Sequence, residues 1–238
     1  MKKLTIILIF IYFTTNLFTQ NLSGIADYNV SSNFEFKDLK EKEKKILNKI
    51  FKNVKEEKKG KFKLMFNGSE SIFFAEKRMK INETKVDLHN INSKIIGKIY
   101  SNYKSKLIIQ EKQKFGIVFN IEKKIKHNNW IITKESVKIG KYLCYKAYYK
   151  QNENKKNKTI AWFTPDIPLN IGPKGYSGLP GFIVMLKEDI FIYSLNKINF
   201  SDNVKINIPK KGRKVTQKKY DSIYKVFRAR KDKLDREN

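Results

Sequence analysis

The sequence predicts a mainly β protein of the α+β class: a curved antiparallel meander sheet or half-barrel with an N-terminal amphipathic helix and a C-terminal helix. Three observations predict it. From Lys106 onward, apolar runs recur at short spacing with turn residues between them, the pattern of consecutive antiparallel strands. Earlier, the turn Asn67-Gly68-Ser69 joins two alternating runs, and Asn-Gly is a strong hairpin signal. Two further segments carry apolar residues at helical spacing instead.

The elements follow in order. Lys2 and Lys3 precede an apolar run from Leu4 to Phe13, about half the length a helix needs to cross a bilayer. This predicts a secretory signal over residues 1–19, cut after Thr19, with export across the inner membrane to the periplasm or outer envelope. Residues 20–238 then form one domain, with no later segment long and apolar enough to span a membrane. Gly24 to Phe36 alternates through Ile25, Tyr28, Val30, Phe34 and Phe36 and opens the sheet. Asp38 to Val54 places Leu39, Ile46, Leu47, Ile50, Phe51 and Val54 on one helical face. Lys61 to Phe66 and Ser71 to Ala75 form the hairpin, and Met79 to Ile96, with no firm period, is a loop or insertion. Strands are predicted at Lys106–Glu111, Phe115–Glu122, Trp130–Thr133, Lys141–Tyr149, Thr159–Thr164, Phe182–Leu186 and Ile190–Asn199. The polar stretch from Gln151 to Lys158 is an exposed hairpin loop. Thr216 caps a final helix to about Leu234, with Tyr220, Ile223, Tyr224 and Phe227 as its apolar stripe.

Composition narrows the partners. Lys and Arg total 51 against 23 Asp and Glu, a net charge of +28, or +26 once Lys2 and Lys3 leave with the signal. Non-specific attraction to anionic surfaces at low salt follows. The excess is spread along the chain and is nearly all Lys. Specific nucleic-acid readers need the bidentate fork of Arg, so no specific nucleic-acid partner is expected. Selection for binding and the Lys, Ile and Asn bias of AT-rich codons are competing origins of this charge. Cys144, the one cysteine, excludes an intrachain disulfide, and its neighbours Tyr142, Leu143, Tyr145 and Ala147 mark it as a small buried hydrophobe.

The most specified segment is Gly172-Pro173-Lys174-Gly175-Tyr176-Ser177-Gly178-Leu179-Pro180-Gly181-Phe182-Ile183. It concentrates glycine and proline in a chain with 11 and 5 of them, so its backbone path is fixed by design. Ser177 lacks the Gly-x-Ser-x-Gly elbow of a hydrolase nucleophile, and the loop lacks the Gly-Lys-Ser/Thr ending of a phosphate cradle. His89 and His127 have no Cys, Asp or Glu at ligand spacing beyond Asp87, so no metal and no cofactor is predicted.

Ala161-Trp162-Phe163-Thr164-Pro165-Asp166-Ile167-Pro168, then Gly172-Pro173 and Gly178-Leu179-Pro180-Gly181-Phe182-Ile183, resemble the GLPGLI family of secreted Bacteroidetes proteins, also called Porph_ging-type. Phe182 stands where that signature has Leu. The upstream strand from Ile139 to Ala147 is similar to the one that precedes the signature in the family. The resemblance covers roughly Gly24 to Phe227 and implies no defined chemistry. A weaker resemblance to LolA-like lipoprotein carriers implies an apolar cavity behind the sheet.

Three functional expectations follow. The first is a non-catalytic module that binds a hydrophobic or acyl ligand through Trp162, Phe163, Tyr176, Leu179 and Phe182, beside the signature residues Gly172, Pro173, Gly178, Leu179, Pro180 and Gly181. The alternative for the same aromatics is a cap on the sheet's core. The second is a basic surface protein that holds anionic envelope polymers or a protein partner. The third is an enzyme at the signature loop using Asp166 with Tyr176 or Lys174.

Overall fold

The computed structural model describes residues 22–32, 60–77, 93–125, 129–150, 159–189, 191–202 and 204–237. The predicted signal, the helix over Asp38–Val54, the loop over Gln151–Lys158, and both His89 and His127 lie outside these residues.

The described chain is mainly β. The first half supplies β1 (Ser23–Ser32), β2 (Gly60–Asn67), β3 (Glu70–Ala75), β4 (Lys98–Asn102), β5 (Leu107–Lys114) and β6 (Ile117–Lys124). The second supplies β7 (Trp130–Ile139), β8 (Tyr142–Tyr149), β9 (Ile160–Thr164), β10 (Phe182–Glu188), β11 (Phe191–Phe200) and β12 (Arg213–Thr216), and ends in α1 (Gln217–Glu237). All twelve strands form one open sheet in the order β12-β6-β5-β4-β3-β2-β1-β11-β10-β9-β8-β7. Two meanders, β1 to β6 and β7 to β11, are therefore joined side by side through the antiparallel pair β1–β11.

Two details differ from the sequence expectation. β4 lies just beyond a stretch read as a loop, because a five-residue strand with Lys98 and Asn102 at its ends has too little alternation to register. β12 pairs with β6 in parallel, so the sheet is not purely antiparallel. That parallel pair depends on a crossover from Ser201 to Gly212, held by hydrogen bonds from Asn67 Nδ2 to the Val204 carbonyl at 3.0 Å and Asn120 Nδ2 to the Pro209 carbonyl at 3.4 Å.

Alternation decides which face is buried. Ala26, Tyr28 and Val30 of β1 and Phe62, Leu64 and Phe66 of β2 are each at most 1% exposed. Register adds Phe73, Ile99, Ala147, Ala161, Phe163, Leu186 and Tyr193 to the same inner face. Phe66 of β2 and Phe182 of β10 bring their ring centroids to 6.2 Å although two strands separate theirs. Flat strands would sit about 14 Å apart over that span, so the sheet curls around its inner face.

The C-terminal helix forms as expected. Thr216 Oγ1 accepts the Lys219 amide at 3.3 Å as an N-cap, and the apolar stripe meets the sheet through Tyr220, edge-on to Phe119 at 5.4 Å. Phe115, in the β5–β6 turn at φ +54°, stacks on Phe227 at 4.3 Å. A bulky residue in the left-handed region is strained, and this stacking offsets the strain.

Phe182→Ala is expected to lower stability by about 3–5 kcal/mol, since a fully buried ring would leave a cavity. Thr216→Ala should cost only about 1 kcal/mol, the loss of one cap. Urea unfolding followed by far-UV circular dichroism measures both.

Candidate functional site

Between β9 and β10 the chain does not take a tight hairpin. Residues 165–181 run back over the inner face as a signature loop containing a short 3-10 turn at Pro173–Gly175. Ile167, Leu169, Ile171 and Leu179 are buried there and belong to the same core cluster as the strands. An isolated bridge pairs Ile171 with Ser177, and Ile183 donates its amide to the Ile171 carbonyl at 3.1 Å.

Glycine is required where the loop touches backbone. Gly181 has φ +150°, and a Cβ there would lie 2.1 Å from the Thr164 carbonyl oxygen. Gly175, at φ +79°, sits against Ser101, Ile108 and Ile99 of β4 and β5, across the curled sheet from β9. No side chain fits either place without moving backbone or core.

Polar contacts hold the loop at both ends. Tyr28 Oη donates to the Ile183 carbonyl at 2.6 Å, and Trp130 Nε1 donates to the Ser177 carbonyl at 2.8 Å. The Gly178 amide bonds Asn170 Oδ1. Glu188, at the inner-face end of β10, accepts from Tyr176 Oη at 2.6 Å and forms an ion pair with Lys174. The Lys174 ammonium also lies 5.7 Å from the Tyr193 ring centroid. Burial pushes the Tyr176 phenol up to about 12. The Tyr103 phenol, bonded to Ser71 Oγ at 2.7 Å, is pushed to about 12 by the same cause.

Residues 149–185 match the Porph_ging family model, a protein of unknown function. The Porph_ging match covers β9, the signature loop and most of β10, the part of the chain that carries the signature residues. No curated protein matches. Two crystal forms of PNGF-II share the fold. One aligns with a TM-score of 0.53 at 14% identity over 84% of this chain and 32% of that one. The other gives 0.50 at 16% identity over 86% and 33%. The chain thus spans about a third of the length of the solved chains it matches. These comparisons do not confirm the LolA-like resemblance.

The predicted ligand residues do not share one surface. Phe163, Leu179 and Phe182 are at most 3% exposed and fill the core, and Tyr176 packs between Trp130 at 5.8 Å and Tyr149 at 5.4 Å. Trp162 points to the outer face, where its register partner is Lys146. The catalytic candidates separate as well: Tyr176 and Lys174 both engage Glu188, while Asp166 is exposed in the turn after β9. Cys144 is fully buried, and burial lifts its thiol to about 11, which keeps it protonated and unreactive at neutral pH. Among the described residues no group of three His, Cys, Asp or Glu side chains converges as a metal site.

Sequence reasoning overlooked the outer face beside Trp162. Lys146 Nζ lies 5.0 Å from the Tyr148 ring centroid and 5.9 Å from that of Trp162, and its counter-ion is Glu135 at 2.8 Å. Register places Ile131 opposite Tyr148 and Val137 opposite Cys144 on this same face. Ile131 is 55% exposed and Val137 42%. The signal was present in the alternation of β8, where Lys146 and Tyr148 fall on the face that Trp162 shares.

Gly181→Ala is expected to destabilise by more than about 3 kcal/mol or abolish folding, since the clash is with backbone. The Tyr176 phenol titrates higher folded than unfolded, so its contribution is complete below about pH 10 and is lost as pH rises toward 12. Thermal unfolding between pH 9 and 12 should therefore show a shallower loss of Tm in Tyr176→Phe than in the unchanged protein.

Proposed function

We propose that the protein is a non-catalytic binding module that takes an anionic amphiphile, an acyl chain with a negative head, on the outer face of β7 to β9. The observation that carries this reading is Lys146 held between Tyr148 and Trp162 beside the exposed Ile131 and Val137. Aromatic rings and aliphatic side chains offer a dry strip to a hydrocarbon chain. The ammonium among them, paired with Glu135, offers the head group a charge at one fixed place when the ligand's anion takes the place of that carboxylate. The inner face is less suited to the same ligand, because the signature loop already occupies it with Ile167, Leu169, Ile171 and Leu179.

Support also comes from the overall charge of +28, or +26 without Lys2 and Lys3 of the signal, which draws anionic surfaces toward the protein before any specific contact forms. A secretory signal over residues 1–19 fits a module that meets lipids in the cell envelope. Among the described residues no helix is long and apolar enough to cross a membrane, so the helices described here supply no such anchor.

Co-sedimentation with vesicles of phosphatidylglycerol and of phosphatidylcholine tests the reading. Binding is expected to the anionic vesicles, to weaken as salt rises, and to fall by about tenfold in Trp162→Ala and in Lys146→Gln, each removing one to two kcal/mol of contact. Equal binding by Trp162→Ala would show that only diffuse charge is at work. Native mass spectrometry after solvent extraction would identify any acyl species that co-purifies.

A further inference from the structure

The inner face of β5 and β6 breaks the rule that a sheet keeps lysine on its solvent side. Register pairs Ile108 with Lys123, Gln110 with Ile121, and Lys112 with Phe119, so Lys112 and Lys123 share a face with the buried Phe119 and Ile121. The core is divided at this place. One cluster ends at Ile96, Ile99 and Ile108, and a second, smaller one gathers Phe119, Ile121, Val215 and Tyr220 under the helix α1. Polar side chains line the seam between them. Lys123 Nζ donates to Gln110 Oε1 at 2.7 Å, while the buried Gln110 donates its Nε2 to the Ile96 carbonyl at 2.7 Å. Lys112 Nζ stands 6.0 Å from the Tyr220 ring centroid.

We propose that this seam is a binding site for a small dianion of the phosphate class, held between Lys112 and Lys123. Neither lysine is in an ion pair among the described residues, and partial burial of two like charges without a counter-ion is costly. That cost shows in the Lys112 ammonium, which burial and the nearby Lys123 and Lys114 push down to about 8. Burial lowers Lys123 as well. Asp221 of α1, the acidic group that acts on both, holds its carboxylate against Gln217 Nε2 at 2.6 Å and offsets only part of the excess. A tetrahedral dianion suits a pair of ammonium groups, because each acts as a point charge and neither needs a planar fork. This site is independent of the outer face around Trp162.

Isothermal titration calorimetry with inorganic phosphate, at constant ionic strength made up with chloride, tests it on the full chain. One saturable site is expected, weakened about tenfold or more in Lys112→Met and in Lys123→Met and changed less than about twofold in Lys197→Met on the exposed outer face. Methyl phosphate in a parallel titration identifies the source: tighter binding assigns a phosphorylated ligand, equal binding a free anion. Circular dichroism confirms that each variant folds. Should Lys123→Met not fold, Lys112→Met alone decides. Absence of a saturable heat, or an equal loss in Lys197→Met, would overturn the site and leave only the diffuse field of a basic protein.

Discussion

A curled single sheet must bury one face without a second sheet to cover it, and the rest of this structure answers that constraint. Two elements share the task. The signature loop covers the middle of the inner face from β9 and β10 across to β4 and β5, and α1 covers the end formed by β6 and β12. The glycines and prolines of residues 172–181 are therefore core requirements as much as turn requirements. Gly175 and Gly181 are small because the Ser101 hydroxyl and the Thr164 carbonyl stand where side chains would go. Glu188, Lys174 and Tyr176 complete the arrangement with hydrogen bonds inside a largely apolar layer, where unpaired polar groups would be costly.

Much of this was legible in the chain. Asn67-Gly68 marked the β2–β3 hairpin, the apolar run from Lys141 to Tyr149 marked β8, and Thr216 marked the start of α1. What escaped had physical reasons. β4 is short and polar at its ends, and the parallel partnership of β12 with β6 is set by a crossover whose hydrogen bonds come from Asn67 and Asn120, far away in sequence. The candidate site was half legible. Trp162 and Phe163 take opposite faces of β9, and grouping Trp162 with Leu179 and Phe182 required a cavity where the chain packs a loop. The acidic partner Glu188 gave no local signal, since only tertiary folding brings it to Lys174 and Tyr176.

Charge operates here on two scales. Exposed lysines spread over the sequence set up a long-range field that salt screens within about 10 Å. Lys112, Lys123 and Lys146 differ because their surroundings fix them: two in a seam of the core, one between aromatic rings. Lysines of the first kind govern how often an anion arrives. Those of the second kind are the ones proposed above to hold it.

The position of β1 has a consequence for how the chain reaches this state. It is the seam strand of the sheet, paired with β2 on one side and with β11 on the other, and its Gly24 stands opposite Phe200. Each meander can form from neighbours in sequence, but their junction closes only after nearly the whole chain has been made. Until then β1 presents an open edge bearing Tyr28 and Val30 to any other strand. An unpaired strand edge is a template for pairing with another copy, and for β1 that edge is closed only by β11.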